Sequence, residues 1–268
     1  MKCQNLPSIS FHTLGCKLNQ AESEELCMQF ARRGWNVVDG DSADVHVVNT
    51  CTVTHIADRK ARGLLRSLRR ANPQALIVAT GCYVQRSADD LLKAGAGMLI
   101  DNEDKARLPT ILADVLECGS SCCRAAADIP LQTRARSFVK IQDGCRQFCS
   151  YCIVPLVRSG ELSLPAEGII ATIRDRVAQS YKEVVLTGTR IGSYRDGDTG
   201  LAALLRRILL ETEIQRLHLS SLQPAEISAP LLELWSDSRL VQHFHLALQS
   251  GSASVLERMG RKYSPREY

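Results

Sequence analysis

The 268-residue chain has no apolar run approaching the roughly 20 residues that a membrane-spanning helix needs. Its first residues also lack the basic-then-apolar layout of a secretory leader. These two absences predict a cytoplasmic protein with no membrane partner. Charge of one sign is not concentrated either: the net charge of +4 is a mild hint of an anionic partner and is compatible with many enzymes that never meet nucleic acid.

Cysteine is plentiful, with 11 residues. Thiols stay reduced in the cytosol, and a chain of this length reads as two domains that each bury a core, so a disulfide framework is excluded in favour of metal binding or catalysis. Not every cysteine needs a role. Cys27, inside the helical pattern EELCMQFARRG, reads as a small packed hydrophobe, and Cys3, Cys118, Cys122 and Cys123 receive the same reading.

Residues 1–117 alternate short apolar runs with longer periodic ones: SISFHTLG, QAESEELCMQFARRG, ADVHVVNT, ADRKARGLLRSLRRA, ALIVATG, SADDLLKAG, AGMLID and LPTILADVLE. Strand then helix, four times over, predicts an α/β domain built on an open parallel sheet. In AESEELCMQFARRG the glutamates suit a first turn and Gly34 suits a C-terminal cap. Residues 118–136, CGSSCCRAAADIPLQTRAR, break the periodicity and read as a linker. Residues 137–268 open a second series, SFVKIQD, EVVLTG, RLHLSSL and FHLALQS, with helical stretches such as LPAEGIIATIRDRVAQSY and LAALLRRILLET before the later strands. This repetition is of (β/α) barrel type, and with four strands the barrel is expected to be incomplete and the chain a fragment.

Cys16 follows the strand FHTLG, Cys51 follows VHVVNT and Cys82 follows LIVATG. In an open parallel sheet the carboxyl ends of the strands share one edge, where ligands bind. Three thiols separated by 35 and 31 residues in sequence are therefore expected to converge. Gly15 and Gly81, each just before its cysteine, would allow close backbone approach.

The second domain carries QDGCRQFCSYCIVP, with Cys145, Cys149 and Cys152 on one loop and no fourth cysteine or histidine nearby. Zinc would lack its fourth ligand, and a ferredoxin-like cluster would want a fourth cysteine in the run. Three thiolates instead suit three corners of an iron-sulfur cube whose fourth iron stays open. S-adenosylmethionine can chelate such an iron through its amino and carboxylate groups, placing its sulfonium where it can accept one electron. Cluster potentials of about −400 mV and below make that transfer feasible, and cleavage would give a 5′-deoxyadenosyl radical.

These motifs, with GCKLNQAESE, NTCTVTHIADRKAR, TGCYVQR, VVLTGTRIGSY, LHLSSLQP and LQSGSASVLERMGRKYS, resemble the radical S-adenosylmethionine methylthiotransferases over the whole chain. The resemblance implies a two-cluster enzyme: one 4Fe-4S cluster, on Cys145, Cys149 and Cys152, for S-adenosylmethionine, and an auxiliary 4Fe-4S cluster, on Cys16, Cys51 and Cys82, that supplies or carries sulfur. It further implies that Gly188, Ser220, Ser221, Gln249 and Ser250 line the S-adenosylmethionine site. The substrate implied is tRNA, with flavodoxin or ferredoxin as electron donor. GCKLN and NTCTVT..AD.KAR are most similar to the branch acting at C2 of N6-threonylcarbamoyladenosine beside the anticodon. Methylthiolation of isopentenyladenosine or of a ribosomal-protein aspartate is the alternative. The chain departs from the family pattern at Ser159, Leu162 and Leu164 in RSGELSLP, at Gln223 in place of a glutamate, and at Ala247 in place of a proline.

In ADRKARGLLRSLRRANP, Arg59, Arg62, Arg66 and Arg69 recur on one helical face, with Ala61, Leu64, Leu65 and Leu68 behind them. Such a face reads equally as a solvated basic surface or as a grip on tRNA phosphates, and no run of aromatics beside it suggests base stacking. A metal-stabilised RNA-binding module without catalysis is the rival class. It would have no use for an open iron or for a second cluster.

Overall fold

The structure, a computed structural model, describes residues 7–116, 135–158 and 160–268, and the chain divides into two units, Met1–Thr133 and Arg134–Tyr268. Of the expected linker 118–136, all but the last two residues fall outside the described set, as do Cys3, Cys118, Cys122, Cys123 and Ser159.

In the first unit the elements run β1 (Ser8–Thr13), α1 (Lys17–Arg32), β2 (Asn36–Val37), β3 (Val45–Thr50), α2 (His55–Ala71), β4 (Leu76–Gly81), α3 (Cys82–Arg86), α4 (Ala88–Lys93), β5 (Met98–Ile100) and α5 (Leu108–Val115). The strands form one parallel sheet in the order β2-β1-β3-β4-β5. Alternation along the strands sorts the core into two layers. Val45, Val47 and Val78 pack with Phe30 of α1 and Leu108 and Leu112 of α5, whereas Val48, Ile77 and Ala79 pack with Leu65 and Leu68 of α2 and Leu91 of α4. Each of the larger side chains contributes about 1.5–3 kcal/mol on full burial, so both faces of the sheet are committed to helix packing.

The four strand-helix repeats are present, together with the short edge strand β2, whose two residues carry too little periodicity to be read from sequence. α1 begins earlier than its glutamates suggest. Its first turn, from Lys17, holds no acidic residue, and Glu22 lies buried one turn further in. Gly34 adopts φ +83° just beyond the helix, as a C-terminal glycine should. α2 is capped by Thr54, whose hydroxyl accepts the Ala57 N–H at 3.1 Å.

The second unit runs β6 (Arg136–Lys140), β7 (Gln142–Gly144), α6 (Val154–Val157), β8 (Glu161–Ser163), α7 (Ala166–Ala178), β9 (Glu183–Thr187), β10 (Arg195–Asp196), β11 (Thr199–Gly200), α8 (Leu201–Glu211), β12 (Arg216–Leu219), β13 (Ser221–Leu222), α9 (Ala229–Leu232), β14 (His245–Leu246) and α10 (Ala253–Arg258). Strands β12, β9 and β6 pair in parallel, and β13 pairs in parallel with β14. Ile169, Ile170 and Ile173 of α7 and Leu204, Leu205 and Ile208 of α8 cover the outer face, packing on Val184, Leu186 and Leu217. The architecture is an incomplete (β/α) barrel. The segment SFVKIQD is two strands rather than one, because β7 turns away to pair antiparallel with β8. Of the departures, Leu164 packs against the core while Leu162 is 64% exposed.

Candidate functional site

Cys16, Cys51 and Cys82 leave the carboxyl ends of β1, β3 and β4, which are hydrogen-bonded neighbours in the sheet. The parallel register pairs Thr13 with Asn49 and Thr50 with Gly81, which brings the three strand ends level. Cys16 is exposed, whereas Cys51 and Cys82 are buried. Two glycines make the edge tight enough. Gly15 sits at φ +105°, where an added Cβ would lie 2.8 Å from Cys51 Sγ. Gly81, at φ +98°, would set one 2.7 Å from Asn49 Oδ1.

Buried polar groups below this edge fix the loops that carry the thiols. Asn19 donates to the carbonyls of Leu14 at 2.8 Å and Thr50 at 3.0 Å, joining the turn before Cys16 to the strand end before Cys51. Asn49 donates to Asn19 O at 2.9 Å and Ser23 Oγ at 3.1 Å. Lys105 reaches in from the turn before α5, donating to Glu22 at 2.6 Å and to Asn49 Oδ1 at 3.3 Å. On the other side, Arg86 of the helix that begins at Cys82 donates to Thr52 Oγ1 at 3.0 Å and Asp58 at 2.8 Å, and so ties the Cys82 segment to the residue after Cys51. Sequence reasoning passed over Asn19, Asn49, Lys105 and Arg86. The one visible signal was asparagine at the end of an otherwise apolar strand.

Burial, the main cause, pushes the Cys51 thiol pKa up; Cys16, Cys82 and Asp58 add to the rise, against the Val53 amide, which favours the thiolate. The three cysteines are thus electrostatic neighbours. Among the described residues, no three Cys, His, Asp or Glu side chains close to the spacing that holds a single metal ion. A four-iron cube spreads its thiolates more widely than one ion does, and an all-sulfur donor set beneath two cysteine-flanking glycines fits such a group. Cys27 lies apart, half-buried in α1, with a pKa pushed up to about 12 chiefly by burial.

In the second unit Cys145 directly follows β7, Cys149 is buried, and Cys152 N–H donates to Cys149 O at 3.0 Å to close the loop. Burial raises the Cys145 thiol pKa, opposed by the Gln147 amide, which donates to its sulfur at 3.3 Å, and by the Arg190 cation. Arg261 donates from Nη1 to Cys149 Sγ at 3.5 Å. Gln223 donates to Gln147 Oε1 at 2.9 Å, so this departure from the family pattern braces the cysteine loop. Ala247 offers its carbonyl to the Tyr263 hydroxyl at 2.6 Å. Three thiols on one loop, with an amide donor on the Cys145 sulfur and a guanidinium donor on that of Cys149, fit a cluster with one open corner.

Gly188 follows β9, Ser220 follows β12, and Gln249 and Ser250 lie just beyond β14. A Cβ on Gly188 would come 2.7 Å from Gln142 O. Ser220 Oγ and Thr189 Oγ1 are buried without a hydrogen-bond partner among the described residues, which leaves polar capacity open for a ligand. Ser221 pairs its hydroxyl with His245 Nδ1 at 2.7 Å. Gln249 holds φ +65°, a left-handed backbone uncommon outside glycine, and Ser250 Oγ accepts Ser252 N–H at 3.1 Å.

The basic face of α2 is less uniform than its periodicity suggests. Arg69 donates to the carbonyls of Pro73 and Ala75, each at 2.9 Å, and of Gly95 at 3.1 Å. Arg62 donates to the Tyr83 hydroxyl and lies 3.9 Å from Asp90. Both are therefore engaged within the protein, because α3 and α4 pack against that side of the helix. Arg59 and Arg66 are exposed, as are Lys60 and Arg70, which the periodicity argument left out.

Residues 8–100 match the family model described as Uncharacterized protein family UPF0004, and residues 139–268 match the Radical SAM superfamily. With the barrel and its three-cysteine loop, this defines the class: a radical S-adenosylmethionine protein with an added N-terminal α/β domain. The chain is 36% identical to the threonylcarbamoyladenosine tRNA methylthiotransferase MtaB of Aquifex aeolicus, covering 97% of this chain and 67% of that relative. It is 35% identical to the protein of that name in Bacillus subtilis, covering 97% and 61%. The chain belongs to the radical S-adenosylmethionine tRNA methylthiotransferase family, and it spans about two thirds of the length of these curated relatives. Its fold is similar to that of the radical S-adenosylmethionine methyltransferase TsrM from Kitasatospora setae, with a TM-score of 0.67 at 12% identity over 97% of this chain and 64% of that one. Among the described residues, no helix is long and apolar enough to cross a membrane.

Proposed function

We propose that the protein works in the cytoplasm in the methylthiolation of tRNA, at C2 of N6-threonylcarbamoyladenosine beside the anticodon, with two 4Fe-4S clusters and S-adenosylmethionine as cofactors. The observation that carries this reading is the pair of separate cysteine triads, one spread over the carboxyl ends of the parallel strands β1, β3 and β4 and the other on the single loop after β7, with no further cysteine or histidine within that loop. When bound, a cluster with an open iron supplies the low-potential electron that cleaves S-adenosylmethionine.

The residues have distinct tasks in this reading. Cys145, Cys149 and Cys152 hold the cluster at the barrel, and Gln147 and Arg261 steady two of its sulfurs. Ser220 and Thr189 offer unpaired hydroxyls to the cofactor, with Gly188 keeping the backbone close. Ser221, Gln249 and Ser250 line the same carboxyl edge. Cys16, Cys51 and Cys82 hold the auxiliary cluster, and the Asn19–Asn49–Lys105 network sets their loops. Arg59 and Arg66 reach tRNA phosphates from α2. A small reducing protein such as flavodoxin or ferredoxin donates the electron.

The test is anaerobic reconstitution followed by incubation with S-adenosylmethionine, dithionite and tRNA bearing N6-threonylcarbamoyladenosine, with mass spectrometry of the digested nucleosides. The 2-methylthio derivative is expected. Product on isopentenyladenosine tRNA alone would move the substrate to the alternative, and absence of any cluster would return the chain to a non-catalytic role.

A further inference from the structure

One cation contacts a cysteine sulfur and is held there by a separate stretch of chain. Arg261 Nη1 lies 3.5 Å from Cys149 Sγ, and its Nη2 donates to Ala247 O at 3.5 Å. The guanidinium sits over the Tyr263 ring, 5.1 Å from its centroid, and Tyr263 is itself fixed by hydrogen bonds to Ala247 O and Leu248 O at 2.6 and 2.7 Å. The segment also docks directly on the cysteine loop, since Ser150 N–H donates to Met259 O at 3.1 Å. Gly260, at φ +72°, allows the turn between these contacts, with an added Cβ 3.6 Å from Phe148 O. Arg261 Nε is buried with no acceptor among the described residues. Arginine is therefore placed by packing from one side and by backbone contacts from another, with its charge directed at one particular thiol.

We infer that Arg261 is a positioning residue that sets the reduction potential of the cluster held by Cys145, Cys149 and Cys152. The inference rests on the proposed function only in taking those three cysteines as cluster ligands. One-electron reduction adds one negative charge to the cluster and its ligand sulfurs, and no bond needs to form or break. A hydrogen bond to a ligand sulfur and a nearby positive charge both favour the more negative, reduced form. Arg261 thus raises the potential toward the reach of a biological reductant. Its fixed planar fork suits this task better than a mobile ammonium would.

The experiment uses the chain with Cys16, Cys51 and Cys82 changed to alanine, so that a single cluster remains, reconstituted anaerobically and titrated potentiometrically with detection by electron paramagnetic resonance. In Arg261→Gln and Arg261→Met the cluster is expected to load while its reduction becomes about tenfold less favourable, a downward shift of about 59 mV for a one-electron couple. Arg261→Lys, which keeps the charge but not the fork, is expected to fall between these and the parent. An unchanged midpoint in both neutral variants would overturn the inference, because a purely structural role leaves the potential alone. A second measurement needs no substitution: arginine labelled with nitrogen-15 in the guanidinium should show a nitrogen coupling to the reduced cluster in pulsed resonance spectra of the parent. No coupling would overturn the inference even if the variants failed to fold. A parent that holds no cluster on these cysteines would instead overturn the functional reading beneath it.

Discussion

Gly15 faces Cys51 so closely that any side chain at Gly15 would displace the thiol: an added Cβ would lie 2.8 Å from Cys51 Sγ, and the backbone there holds φ +105°. Gly15→Ala therefore combines left-handed strain with a direct clash. We expect a loss of about 1–3 kcal/mol of stability and reduced iron loading of the first unit. Thermal unfolding and iron per chain check this, and a variant with parental iron content would contradict the tight packing at this edge.

Two independent triads predict a stoichiometry of about eight irons per chain after anaerobic reconstitution, with about half remaining when Cys145, Cys149 and Cys152 are all changed to alanine. The single variants separate the roles. Cys149→Ala should abolish 5′-deoxyadenosine formation together with every modified nucleoside. Cys51→Ala should still form 5′-deoxyadenosine with dithionite but place no sulfur on tRNA. Chromatographic quantitation of both products decides the matter, and parental methylthiolation by Cys51→Ala would remove the sulfur-carrying role from the first unit.

The arginines of α2 should divide into two groups. Arg59→Gln with Arg66→Gln should weaken tRNA binding and lower the slope of log affinity against log salt by about two, with little change in stability. Arg69→Gln leaves the carbonyls of Pro73, Ala75 and Gly95 without their donor, so it should destabilise the first unit by about 1–3 kcal/mol. Fluorescence anisotropy over a potassium chloride series and chemical denaturation together check the split. An unaltered salt slope would make Arg59 and Arg66 an ordinary solvated face.

The Lys105–Glu22 pair is almost wholly enclosed, with side chains 6% and 7% exposed and 2.6 Å apart. Lys105→Met takes a buried cation away from the Glu22 carboxylate and should cost about 3–5 kcal/mol, whereas Lys105→Met with Glu22→Leu should recover most of that loss. Urea denaturation of the two variants measures the difference. Equal losses would mean that the partners act independently.

His46 and His12 predict how the first unit responds to acid. His12 Nε2 lies 3.2 Å from His46 Nδ1, and both pKa values are lowered, mainly by burial, with each His12 proton also opposed by His46. The folded state binds fewer protons here than the unfolded chain does. This contribution is complete above the ordinary histidine value of about 6.5 and is lost as pH falls below it. The unfolding midpoint of the first unit should therefore drop between about pH 7 and pH 5, and His46→Met should flatten that drop. Calorimetry across the range tests it, and an identical pH slope in the variant would exclude His46 as a cause.

Much of the first unit was legible in the chain because its signals are local. Apolar runs such as VHVVNT, each followed by a periodic helix, specify βα units, and βα units specify a parallel sheet whose carboxyl edge is known in advance. The cysteines fall on that edge from their positions in the chain alone. The fates of Arg62 and Arg69 could not be read in the same way, since they depend on Tyr83, Asp90 and Gly95, residues 21 to 28 positions away in sequence. Glu22 looked like a helix-start acid because Lys105, its buried partner, lies 83 residues off. In the second unit the strand break at Ile141 follows from a pairing between β7 and β8 that no periodicity announces.

The order β1-β3-β4 has a consequence for how such a site can vary. Each thiol of the first triad leaves its own strand, and neighbouring strands are spaced by about 4.8 Å whatever lies between them in sequence. The sheet therefore acts as the ruler, and the intervening helices only bring the chain back to the next mark. Insertions or deletions within α1 or α2 are free to change the 35- and 31-residue gaps between Cys16, Cys51 and Cys82 while the thiols keep their stations. The loop of Cys145, Cys149 and Cys152 has no such ruler, and one inserted residue there would move a ligand.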